Sequence, residues 1–140
     1  MTEHILLAED NPRDVEITLD LVARARPGSI VTVVHNGEEV LDFLNLKGDF
    51  RLRLPGPPSL ILLDVKMPKI TGLELLARLR SDPAIAAIAV VILSSSRQEK
   101  DMLEAHDLGA DGYLIKPVTA ERLAGAIELA LRERLAKRPL

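Results

Sequence analysis

A chain of 140 residues, 47% hydrophobic and 28% charged, suits one globular domain with a single core. Its formal net charge of −3 gives no reason to expect nucleic acid or a membrane surface as a partner. Having no cysteine excludes disulfides and thiolate metal sites, and makes a reducing cytoplasm the expected location.

The N-terminus, MTEHILLAED, lacks the basic flank and long apolar stretch of a signal peptide. It leads into the first of five short aliphatic runs, His4–Ala8 (HILLA). Pro12 then takes the first position of a helix, with Asn11 as its cap and Val15, Leu19 and Val22 at helical spacing. The sequence PGS at 27–29 ends that helix before the second run, Ile30–His35. A shorter helix follows from Gly37 to Leu46, with Val40, Leu41 and Leu44 on one face.

Lys47–Ser59 is rich in Pro and Gly and reads as a surface excursion, since neither side of it alone holds enough strands for a core. The third run is Leu60–Asp64, and a helix from Gly72 to Leu79 stops at Asp82–Pro83. The longest apolar stretch, Ala84 to Leu93, is too short to cross a bilayer. It reads as a helix tail, a link and the fourth strand, Ala89–Leu93. A helix from Gln98 to Leu108, a fifth run at Gly112–Ile115 and a helix from Ala120 to about Leu135 complete the pattern. Arg132, Arg134, Lys137 and Arg138 read as the solvated face of that last helix.

Strands buried on both faces and alternating with helices predict an α/β fold, a doubly wound parallel sheet of five strands. In such sheets function gathers outside the carboxyl ends of the strands. The first strand delivers Glu9 and Asp10 there, the third Asp64, the fourth Ser94 to Ser96, and the fifth Lys116 before Pro117.

If the first and third strands are neighbours, three carboxylates converge and need a cation. All-oxygen donors with room for water suit Mg²⁺. Lys116 suits a phosphate oxygen, and the Ser94 hydroxyl can donate to another. In that setting Asp64 can act as a nucleophile toward phosphorus, forming an acyl phosphate. Each piece also has a plain alternative: Glu9 and Asp10 as helix-start acids, Asp64 as a turn residue, the serines as a polar loop, Lys116–Pro117 as a surface turn. Their joint placement at four strand ends favours the site.

The motifs AEDNP (8–12), LLDVKMPKITG (62–72), LSSS (93–96) and GADGYLIKP (109–117), with their order and spacing, resemble the receiver domains of two-component response regulators. The resemblance covers about Ile5 to Leu135 and implies a flavodoxin-like sheet of strand order 2-1-3-4-5. It implies Asp64 as phospho-acceptor, with Mg²⁺ held by Asp10, Asp64 and the Lys66 backbone carbonyl and Glu9 assisting through water. Mn²⁺ would substitute. Ser94 and Tyr113 would form the switch, Lys116 would pair with phosphate, and the Lys116–Pro117 bond would be cis.

The long 47–59 excursion and the hydroxyl triplet further resemble stand-alone regulators paired with bacterial phytochrome kinases. That subfamily often ends in an aromatic-bearing segment, and RERLAKRPL carries none.

The expectation is one receiver domain over residues 1–140 with no output domain, located in the cytoplasm. Its partner would be a sensor histidine kinase or histidine phosphotransfer protein, with a homodimer also allowed and neither nucleic acid nor membrane. It would not be an enzyme beyond its own phosphoryl transfer and autodephosphorylation. Three alternatives compete with this reading. An aspartyl-phosphate hydrolase needs an acid two residues after the nucleophile, where Lys66 stands; a DNA-binding regulator needs an output domain; a phosphorylation-independent binding module needs none of the site residues.

Overall fold

The computed structural model describes residues 3–137. Arg138 lies outside the described residues. Five strands, β1 (His4–Ala8), β2 (Ile30–Val34), β3 (Leu60–Leu63), β4 (Ala89–Ser94) and β5 (Gly112–Ile115), alternate with five helices. These are α1 (Pro12–Ala25), α2 (Gly37–Asn45), α3 (Gly72–Ser81), α4 (Glu99–Asp107) and α5 (Ala120–Lys137). All pairings are parallel, in the order β2-β1-β3-β4-β5. The α/β class and strand order are those expected.

Successive side chains of a strand point to opposite faces, and here both faces are apolar. Leu6, Ala8, Ile61, Leu63, Val90 and Ile92 face the layer of α2, α3 and α4, meeting Val40, Phe43, Leu75, Leu76 and Leu79. Ile5, Leu7, Leu60, Leu62, Val91 and Leu93 face the layer of α1 and α5, meeting Leu21, Val22, Leu123 and Ile127. Every residue of β3 is buried, as befits the central strand.

Helix starts follow from local chemistry. Asn11, Asn36 and Thr71 cap α1, α2 and α3, each accepting backbone N–H groups through its side-chain oxygen. Several boundaries differ from the sequence expectation. β2 ends at Val34, and β3 stops at Leu63 because the chain turns at Asp64. β4 gains Ser94, whose carbonyl accepts from Lys116 N at 2.8 Å and so prolongs the pairing with β5. α3 continues to Ser81, and residues 83–87 form turns, not a helix tail.

Arg134 corrects the reading of a solvated basic face. Its guanidinium reaches Asp111 at 2.8 Å and the Gly109 carbonyl at 3.0 Å, while Arg132 and Lys137 are exposed. Asp111 also accepts from Arg80 at 3.0 Å and Val90 N at 2.9 Å. Arg80 in turn donates to the carbonyls of Gly109, Ala86 and Ile88. One carboxylate, 1% exposed, thus ties α3, β4, β5 and α5 together at the end of the sheet opposite the strands' carboxyl termini. Burial, then the adjacent Arg134 charge, lowers Arg80 to about 10.

The 47–59 excursion packs through aromatic contacts. Arg53 lies 4.0 Å over the Phe43 ring and donates to the Phe43 carbonyl at 2.7 Å. Phe43 meets the edges of Phe50 and His4, and His4 Nε2 pairs with Thr32 Oγ1 at 2.8 Å.

Replacing Asp111 by Ala leaves two guanidiniums without their counter-charge and is expected to cost about 3–5 kcal/mol in urea unfolding. A loss below about 1 kcal/mol would mean that the backbone carbonyls suffice. Burial, then the Arg53 charge, holds His4 below its ordinary value of 6.5. The folded chain therefore resists a proton that the unfolded chain accepts, and this contribution to stability falls as pH drops through that value. Between about pH 7.5 and 5.5, wild type should lose stability relative to His4→Gln. Parallel pH profiles for the two proteins would contradict that expectation.

Candidate functional site

Three backbone bonds carry the strand ends to a common rim: Glu9 N to Val34 O, Asp64 N to Ala8 O, and Lys116 N to Ser94 O. Beyond Asp64 the chain loops tightly, and Gly72 N returns to Val65 O at 2.9 Å. A Cβ at Gly72 would stand 2.3 Å from the Asp64 carbonyl oxygen, so only glycine lets α3 begin this close to the rim. The Lys116–Pro117 peptide is cis.

Carboxylate oxygens of Glu9, Asp10 and Asp64 lie within 4.8 Å of one another. Glu9 is 2% exposed and Asp64 9%, whereas Asp10 faces solvent. Lys116 Nζ donates to Glu9 at 2.6 Å and Asp14 at 3.1 Å, and stands 3.8 Å from Asp64. Three carboxylates therefore share one ammonium, with Asp10 beside them. Burial, opposed by Lys116 and reinforced by Glu9, raises Asp64 from its ordinary value to about 7. Burial by itself would lower Lys116, but its hydrogen bond to Glu9 and the Asp64 charge raise it.

Lys66 touches Asp64 through its N–H, which donates to Oδ1 at 3.3 Å; its carbonyl takes no part in that contact. Ser94 is fully buried, and its hydroxyl oxygen accepts from Ser96 N at 3.1 Å. Tyr113 is half-buried and donates to the Ser96 carbonyl at 3.2 Å. Ser94 and Tyr113 are thus joined through Ser96, whose hydroxyl also donates to Asp101 on α4.

Two participants were missed by sequence reasoning. Asp14 passes for an ordinary first-turn acid of α1, and no local signal marks it as a partner of Lys116. Ser96 was grouped with a polar loop. His35, which follows β2, puts Nδ1 3.2 Å from the Glu9 carbonyl. Among the described residues no helix is long and apolar enough to cross a membrane.

All-oxygen donors at this spacing, in excess of the available positive charge, suit a hard divalent cation. With phosphate-seeking lysine and hydroxyl groups alongside, the arrangement can receive a phosphoryl group.

The chain is 43% identical to the bacteriophytochrome response regulator RtBRR, with a TM-score of 0.85 over 93% of this chain and 78% of that one. Response regulator Rcp1 of Synechocystis sp. is 31% identical over 112 residues, 80% of this chain and 75% of Rcp1. The crystal structure of the Mn(2+)-bound form of Rcp1 superposes with a TM-score of 0.75 at 27% identity, covering 99% and 98% of the two chains. The gliding motility regulatory protein of Myxococcus xanthus is 37% identical over 130 residues, which are 89% of this chain and only 15% of that protein. The model of the response regulator receiver domain matches residues 5–128, and the chain belongs to that family.

Proposed function

We propose that this chain is a response-regulator receiver that accepts a phosphoryl group on Asp64 from a histidine kinase or phosphotransfer protein. The observation that carries the reading is the cluster of Glu9, Asp10 and Asp64 with Lys116 Nζ 3.8 Å from Asp64. Glu9, Asp10 and Asp64, with the Lys66 carbonyl, would hold Mg²⁺ or Mn²⁺. Bound there, the ion offsets carboxylate charge and attracts phosphoryl oxygens.

In the transfer, an Asp64 carboxylate oxygen attacks phosphorus as the bond from phosphorus to the donor's imidazole nitrogen breaks. The imidazole leaves with the electron pair and takes up a proton. Lys116 pairs with the incoming negative charge, and the Ser94 hydroxyl turns from Ser96 N toward a phosphoryl oxygen. That turn frees Ser96, loosening its hold on Tyr113 and α4, so the modification biases the surface of α4, β5 and α5.

The donor must reach Asp64 from the rim. A cavity of about 290 Å³ beside Lys116, lined by Ile17, Leu21, Pro117 and Val118, offers apolar contact there. Similarity to the bacteriophytochrome regulators supports a phytochrome-type kinase as donor and a cytoplasmic location. Output through protein contacts, a homodimer among them, is favoured over DNA binding by the net charge of −3.

Intact-protein mass after incubation with acetyl phosphate tests the reading. The expected gain is one phosphoryl group, present with Mg²⁺, absent with chelator, and absent in Asp64→Asn. No gain in folded protein would favour a phosphorylation-independent binding module. Lys66, exposed two positions after Asp64, stands where a side chain can hinder or guide attacking water. Lys66→Ala is expected to change the dephosphorylation rate by about two- to tenfold. A wild-type rate would remove Lys66 from the mechanism.

A further inference from the structure

β2 is an edge strand, paired only with β1. Its sequence, IVTVV, is β-branched throughout and contains no lysine, proline or other charge to guard the edge. Ile30 N donates to Glu3 O, and Val34 O accepts from Glu9 N, so the backbones of Ile30, Thr32 and Val34 turn toward β1. By alternation, the N–H and C=O groups of Val31 and Val33 turn outward from the sheet.

The face of this edge that carries Ile30 and Thr32 opens into a groove of about 450 Å³, bounded by His4, Phe43, Phe50 and Arg53. Apolar groups around it lie in solvent: Ile30 is 57% exposed, and Leu52 and Leu54 are each 87% exposed. The 47–58 segment carries Lys47, Arg51 and Arg53 against Asp49 alone. Among the described residues Arg53 makes no ion pair; its hydrogen bonds go to the carbonyls of Phe43, Leu54 and Gly56.

We infer that this edge and groove bind an extended segment of another protein in which acidic and apolar residues alternate. The segment adds a strand to β2, bonding through Val31 and Val33. Every second side chain, the acidic one, enters the groove and meets Arg53, while the apolar ones turn to the opposite face of the edge beside Val31 and Val33. Main-chain bonds supply affinity and the groove supplies selection, as in other strand-addition complexes. A second copy is a poorer occupant, because its own β2 has no acid to offer Arg53. The site lies away from the carboxylate rim and does not depend on phosphorylation.

The probes are two capped decapeptides, one alternating glutamate with valine and the other lysine with valine, titrated calorimetrically into the whole chain. The glutamate peptide should bind at least about tenfold more tightly and should slow hydrogen exchange at the Val31 and Val33 amides. Leu54→Glu, at a fully solvated position, should weaken it at least about fivefold through like-charge repulsion. Val33→Pro, which removes an outward N–H, should abolish binding if circular dichroism shows it folded. Leu54→Glu carries the test alone if it does not fold. Three results would overturn the inference: no binding, equal binding of both peptides, or binding that leaves Val31 and Val33 unprotected. Sedimentation showing that the chain itself dimerises through these protected amides would do the same, assigning the edge to a second copy.

Discussion

Lys116 holds carboxylates from the end of β1, the first turn of α1 and the end of β3, and the rim of the sheet is organised by that sharing. The ammonium is half-buried and cannot move away without leaving Glu9, 2% exposed, uncompensated. Even so, one positive charge faces three carboxylates, and burial, reinforced by the Glu9 charge, raises Asp64 to about 7. The protein keeps a site in which carboxylates outnumber the ammonium that they share. Such a site stays poised because the sheet beneath it does not yield.

That rigidity comes from sequestration on both faces. Strands covered on each side fix the positions of their own carboxyl ends, and backbone bonds between neighbouring ends hold the acidic groups in register. Gly72 sharpens the effect: by omitting a side chain it lets α3 start against the Asp64 backbone, so the loop after the acid has little freedom.

The strands were legible because two-sided burial leaves continuous aliphatic runs, and the order of Asp64, Ser94 and Lys116 pointed to one rim. Elements whose meaning depends on distant partners were not legible. Lys116 meets Asp14 across 102 residues of chain, and nothing near Asp14 in sequence announces the pairing. Arg134 sits among solvated basic residues, and only packing against the turn before β5 draws it inward. Ser96 gained its place because β4 continues through Ser94, which brings the Ser96 carbonyl to Tyr113 and its hydroxyl to Asp101 on α4. The 47–59 segment has no periodicity to reveal that Arg53 would settle on Phe43.

The Asp111 cluster also divides α4 mechanically. Gly109, just past the C-terminal end of this helix, is gripped by both Arg80 and Arg134, while its N-terminal turn is held through Ser96 and Asp101. The helix is tied unevenly: two guanidiniums grip the carbonyl beyond its C-terminal end, and one serine hydroxyl holds its N-terminal turn, so the end beside the rim is the more lightly held.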